Sequence, residues 1–174
     1  MDFFVVPTVT CRLLYVLIVI APERRKVIHF NITEAPTAEW SAQQVVNAFP
    51  YETAPKYLLR DRDSIYGSIF VQRVADMGIQ QKLISPRSPW QNPFVERLVG
   101  SIRRECLDRV IVFHERQLRR ILQSYIQYYH NVRPHRSLDH DSPVPRPVQS
   151  PDCGKVIESP RVGGLHHLYL RQAA

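Results

Sequence analysis

The sequence predicts an α/β protein built on a mixed sheet. Two observations carry that expectation. Three strand-like runs crowd the N-terminus, joined by turns too short to hold a helix, so they pair antiparallel. Strand-like and helical segments then alternate, which calls for parallel strands joined through helical crossovers.

Asp2 to Val6 is the first predicted strand, ended by Pro7-Thr8. Arg12 to Ile20 is the second. It is almost continuously apolar and β-branched, the pattern of a strand covered on both faces. Ala21-Pro22-Glu23-Arg24 makes the turn into a third strand, Lys26 to Ile32. Thr37 suits a helix cap, and Trp40, Gln44, Val45 and Phe49 follow at roughly helical spacing until Pro50. Lys56 to Arg60 is a fourth strand, delivering Asp61 at its C-terminal end.

Ser68 to Met77 reads as a short helix with Phe70, Val71 and Val74 on its apolar face, closed by Gly78. Ile79 to Ile84 is the fifth strand. Ser85 to Pro93 holds three prolines and Trp90 and reads as a loop. Two longer helices follow, Pro93 to Leu107 and Glu115 to His130. The second carries Leu118, Ile121, Leu122, Tyr125, Ile126 and Tyr129 at core spacing. Residues 131 to 151 look irregular, and Lys155 to Ile157 and Leu165 to Leu170 are short strand candidates. We expect a core over residues 1–145 and a C-terminal extension over 146–174.

At 174 residues, with 44% hydrophobic and 22% charged residues, the chain suits one domain with a real core. The net charge of +7 favours polyanionic partners. From Arg60 to Arg136 there are fourteen Lys/Arg against seven Asp/Glu, so the excess sits in that stretch. Cys11, Cys106 and Cys153 form no CxxC pair, which argues against a cysteine-rich zinc site and for a reducing compartment. His135, His140, His166 and His167 have no zinc-site spacing. The apolar run Leu13 to Ala21 is too short to span a bilayer and, apart from Arg12, lacks the basic flank of a signal peptide.

Three acids stand out. Asp2 opens the first strand, Asp61 ends the fourth, and Glu96 lies in a helix with 34 residues between it and Asp61. Two strand-borne aspartates and a helix-borne glutamate can hold two divalent ions near a scissile phosphate. Taken singly, carboxylates at strand ends are ordinary surface features. On the same helix Glu96, Gly100 and Arg103 share a face, at offsets of zero, four and seven.

Several blocks occur in order: Asp2-Phe3-Phe4-Val5-Val6-Pro7-Thr8, Arg60 to Gly67, Ser88 to Arg97, Arg103-Arg104-Glu105-Cys106-Leu107-Asp108, and Arg133-Pro134-His135-Arg136-Ser137-Leu138. Together they resemble the catalytic core of an insertion-sequence transposase, in the retroviral-integrase superfamily of Asp-Asp-Glu enzymes. The resemblance covers about residues 2 to 145. It implies an RNase H-like mixed five-stranded sheet, three antiparallel strands then two parallel, flanked by helices. It also implies Asp2, Asp61 and Glu96 as catalytic residues and ligands of two Mg²⁺ or Mn²⁺ ions. Asp63 is the rival to Asp61, which is favoured because Tyr66 lies five positions after it.

The resemblance further implies DNA as partner, both element ends and target, held through Arg97, Arg103, Arg104, Trp90 and Asn92. Arg103 matches a basic residue of the family pattern. Trp90 either stacks on a base or packs over its loop. His130 stands where the family more often has asparagine. A homo-oligomer, no small-molecule cofactor, no membrane association and a bacterial-type cytoplasmic, nucleoid-associated location follow as expectations. Transposases of this type carry an N-terminal DNA-reading region, and here Met1 directly precedes Asp2. The chain therefore reads as N-terminally truncated, with Asp2 poorly fixed and activity below that of a longer version. The alternatives are an RNase H-like nuclease without joining activity and a non-catalytic nucleic-acid-binding remnant.

Overall fold

The computed structural model describes residues 1–50, 53–86 and 88–173. The predicted loop 85–93 includes Arg87, and the C-terminal extension includes Ala174; both lie outside the described residues.

Strands β1 (Asp2–Pro7), β2 (Leu13–Ala21) and β3 (Lys26–Thr33) form an antiparallel meander in the order β1-β2-β3. Asp2 pairs with Ile18 and Phe4 with Val16, and a bulge falls between Val19 and Ile20. Because side chains alternate along a strand, β2 feeds two cores. Leu14, Val16 and Ile18 join Val95, Leu98, Ile102, Leu118, Leu122 and Tyr125 on one face. Leu17 and Val19 join Val45, Leu58, Phe70 and Val74 on the other. This explains the unbroken apolar run.

The second core is made by α1 (Ala38–Ala48) and α2 (Ser68–Asp76). Thr37 caps α1 by accepting from Trp40 N at 3.1 Å, a contact worth about 1 kcal/mol. Gly78, at φ 74, takes the left-handed position after α2. Between these helices runs β4 (Tyr57–Arg60), which pairs parallel with β5 (Gln80–Leu83) through the α2 crossover. The first core is closed by α3 (Pro93–Glu105) and α4 (Glu115–Asn131). A short 3-10 turn, Pro89–Gln91, sits inside the predicted loop.

The single five-stranded sheet is not what the hydrogen bonding gives. The ladders divide into β1-β2-β3, β4-β5 and a C-terminal pair. At the seam, Met1 N donates to Leu59 O at 2.8 Å. The Met1 carbonyl, next along that seam, accepts from the Asn92 side-chain amide at 3.3 Å. A side chain thus takes a position that a β1–β4 ladder would use.

The C-terminal strands are longer than predicted. β6 (Lys155–Arg161) and β7 (His166–Gln172) make an antiparallel hairpin. It is anchored where the His166 ring stacks on Tyr128, centroids 4.2 Å apart, and where His166 Nε2 meets Glu105 O at 2.9 Å. No described helix is long and apolar enough to cross a membrane.

Candidate active site

Asp2, Asp61 and Glu96 come from three elements, β1, the end of β4 and α3. Asp2 begins β1, where its backbone pairs with Ile18 while Met1 N reaches Leu59 O, so the start of the strand is held on both sides. Asp61 follows the last residue of β4, and Glu96 sits in the first turn of α3. Burial, followed by the charges of Asp61 and Glu96, pushes the Asp2 carboxyl up to about 6. A hydrogen bond from Phe3 N and the nearby Met1 amino group pull it partly back. Asp61 and Glu96 therefore both act on the Asp2 carboxyl, whose rise comes first from burial and then from these negative charges.

Asp63 does different work. Its Oδ1 accepts from Ile65 N at 2.9 Å and its carbonyl from Tyr66 N at 3.1 Å, closing the turn after β4. Its own N–H donates to Asp61 Oδ1 at 3.3 Å. Asp61, not Asp63, is among the charges acting on Asp2.

Arg60 supports Asp61 from below. It is buried, donates to Gln81 Oε1 and to the Asp61 carbonyl, both at 2.8 Å, and lies over the Tyr66 ring at 4.8 Å. Composition alone made it one more cation. Its position at the end of a buried strand was the available signal, since a guanidinium there needs fixed acceptors.

Of the expected DNA contacts, Arg97 and Arg104 are exposed on α3, and Trp90 is 71% exposed in the 3-10 turn. Arg103 folds back onto β1, donating to Val5 O at 3.1 Å with its guanidinium 5.8 Å from the Phe4 centroid. Asn92 is buried, and its amide is engaged with Met1 O. Gly100 makes room for Arg104, since an added Cβ would come within 2.9 Å of Arg104 Nη1.

A second cluster escaped sequence reasoning. Glu105 at the end of α3 accepts two bonds from Arg133, at 2.6 and 2.8 Å, and one from Tyr125 OH at 2.7 Å. Burial alone would raise the Glu105 carboxyl, but these donors outweigh it and hold it below its usual range. His130 accepts from Val27 N at 2.9 Å and ties α4 to β3. Beside this network a cleft of about 260 Å³ is lined by Arg25, Arg97, Ser101, Arg104, Arg133 and His135, among others. A larger cleft of about 680 Å³, lined by Val19, Phe49, Tyr57 and Phe94, is mainly apolar and contains none of the three acids.

Residues 77–143 match a family model described as the integrase core domain. Over that segment the chain resembles an integrase core. The matched segment contains Glu96, α3, α4 and the Arg133-Pro134-His135 block, and stops short of Asp2 and Asp61. A protein described as "Insertion element IS476 uncharacterized 39.2 kDa protein", from Xanthomonas euvesicatoria, is 24% identical over 145 residues. That alignment covers 83% of this chain and 42% of the relative. A chain of the simian T-cell lymphotropic virus intasome, solved by cryo-EM in complex with PP2A regulatory subunit B56 gamma, superposes with a TM-score of 0.63. The identity is 14%, over 95% of this chain and 63% of that one, so this likeness speaks for the fold alone. This chain thus spans less than two thirds of the length of either.

Integrase cores as a family are divalent-metal dependent. The donor set here fits a hard cation: three carboxylates, with only oxygen ligands. The charges of Asp61 and Glu96 add to burial in raising the Asp2 carboxyl, and a bound cation would offset them. Among the described residues, however, no group of three or more His, Cys, Asp or Glu side chains is drawn into metal-holding geometry.

Proposed function

We propose that this chain performs DNA transposition or integration by metal-dependent phosphoryl transfer, cleaving element ends and joining a 3′-hydroxyl to target DNA. The observation that carries the reading is the placement of Asp2 at the start of β1, Asp61 directly after β4 and Glu96 in the first turn of α3. Carboxylates offer the hard oxygen ligands that divalent cations prefer, and Asp61 stands at the C-terminal end of a parallel strand, where ligands gather.

In this reading Asp2, Asp61 and Glu96 hold two Mg²⁺ or Mn²⁺ ions. The chemistry supplied by such ions when bound is polarisation of the scissile phosphate and stabilisation of the attacking and leaving oxygens. The chain's own residues position the reactants. Arg60 fixes the backbone of Asp61 through its carbonyl. Asp2 is laddered to Ile18 and cannot swing with a loose end. Arg97, Arg103 and Arg104 attract duplex DNA through its phosphates, with little sequence preference and strong salt dependence. Trp90 offers a stacking face to an unpaired base. A homo-oligomer, working where chromosomal DNA is found, belongs to the same proposal.

The test is a Mg²⁺- or Mn²⁺-dependent assay of strand transfer and disintegration on supplied donor ends, with Asp61→Asn as control. Metal-dependent joining that the substitution abolishes supports the reading. Cleavage without joining would leave a nuclease, and metal-independent products would end the proposal.

A further inference from the structure

We propose that the cleft between α3 and the His135 turn is a phosphate site, and that it takes a backbone phosphodiester of bound DNA. The inference rests on the DNA-binding reading above and deepens it. At about 260 Å³ the cleft is smaller than pockets for drug-sized ligands, which begin near ~300 Å³. Arg25, Arg97, Arg104 and Arg133 line it, with the Ser101 hydroxyl between them. Arg133 is neutralised by Glu105. Among the described residues, Arg25, Arg97 and Arg104 enter none of the ion pairs. Guanidinium groups converging without a counter-charge repel one another, and an anion between them removes that cost.

Two further observations point at the same space. His135 is 4% exposed, and its Nε2 has no hydrogen-bond partner. An orphaned buried polar atom costs about 1–3 kcal/mol. The ring donates to the Tyr129 carbonyl through its other nitrogen, so Nε2 bonds a phosphate oxygen once the imidazole is protonated, a state that the bound anion favours. Arg25 stands at φ 58, in the left-handed region that arginine seldom adopts. Its guanidinium lies 5.7 Å from the Phe94 centroid at the cleft wall. Strain held in place beside a polar cleft is a pointer to binding.

The source of the phosphate follows from where the arginines sit. Arg97 directly follows Glu96 on α3, and Arg97 and Arg104 are both exposed. A cleft whose arginines are exposed on α3 is open to a phosphate carried on a polymer.

The experiment uses protein with ¹⁵N-labelled histidine in EDTA, so that it is independent of metal and of joining. One arm adds a duplex oligonucleotide of arbitrary sequence, and a parallel arm adds inorganic phosphate. The duplex should move the His135 Nε2 resonance. The double variant Arg97→Gln, Arg104→Gln should lose that response and weaken duplex binding at least about tenfold, as expected for losing two phosphate contacts. Arg73→Gln, Arg120→Gln removes the same charge elsewhere and should keep the response. A folded wild-type protein whose His135 stays unmoved at saturating duplex overturns the proposal. So does a response to inorganic phosphate alone, which would make the cleft a site for the free anion. Joining activity with a silent His135 rejects this site only, and a responsive His135 without joining rejects the catalytic reading only.

Discussion

Arg133 grips Glu105 with two nitrogens, at 2.6 and 2.8 Å, joining two sequence blocks that lie 28 residues apart. Both side chains are about three-quarters buried, and Tyr125 OH fills a further site on the carboxylate. The pair fixes the end of α3 against the segment after α4. It also sets Arg133 and His135 along the wall of the basic cleft.

Breaking one side of this pair leaves the other buried without compensation. Glu105→Gln should therefore lower stability by about 2–4 kcal/mol, near the range for disrupted buried pairs. The measurement is the urea midpoint at constant m. A loss under about 0.5 kcal/mol would show that solvent screens the pair as it does surface ion pairs.

Asp61 and Asp63 should separate in kinetics. Asp61→Asn should cut metal-dependent joining more than about 100-fold, beyond what loss of a supporting contact usually costs. Asp63→Asn should change joining only a fewfold and lower stability by about 1 kcal/mol, because it weakens the turn over Ile65 and Tyr66. Reversed results in the two variants would transfer the catalytic role to Asp63.

Asp2 and His135 have opposite linkage in overlapping windows. The Asp2 carboxyl is raised from 3.8 to about 6 by burial and neighbouring acids. Between those values the folded state holds the extra proton, so this contribution is full below about 3.8 and is lost as pH rises through about 6. Burial and the Arg133 charge lower His135 from 6.5 to about 4. There the unfolded chain holds the extra proton, so stability rises with pH from about 4 to 6.5. In EDTA, wild-type stability relative to Asp2→Asn should fall between pH 4 and 6. Parallel curves for the two proteins would show that Asp2 is unperturbed. Metal affinity should weaken as pH drops through about 6, because protons compete for Asp2.

Trp90 and Trp40 are the only tryptophans, and Trp40 is partly buried against Phe3, with ring centroids 6.3 Å apart. Single-stranded DNA should quench mainly Trp90 fluorescence. Trp90→Ala should weaken single-strand binding by about 1–2 kcal/mol, roughly five- to thirtyfold, if a base stacks on it. Unchanged affinity would assign the indole to the loop.

Arg103→Ala should act twice. It removes one cation from the DNA face, lowering the log–log salt slope by about 1. It also removes the bond to Val5 O and the contact with Phe4, at a cost near 1 kcal/mol in stability. A variant as stable as wild type would show that the β1 contact carries no net energy.

Local signals in the sequence were enough for the elements themselves. The continuous apolar run from Leu13 foretold a strand covered twice, Thr37 and Pro50 bracketed the first helix, and the helical spacing of Leu118, Leu122 and Tyr125 foretold the core face of α4. These depend on side-chain periodicity and backbone restriction, which act within a few residues. The order of three acids on two strands and a helix was legible for the same reason. Contacts between distant residues were not. Asn92, 91 positions from Met1 along the chain, reaches its carbonyl at the seam between β1 and β4. Arg60 read as one cation among many until Gln81, Tyr66 and the Asp61 carbonyl surrounded it. Arg25, Arg97, Arg104 and His135 become one cleft only because the turn before β3, α3 and the turn after α4 meet in space. Charge converges through packing, and periodicity along the chain carries no record of it.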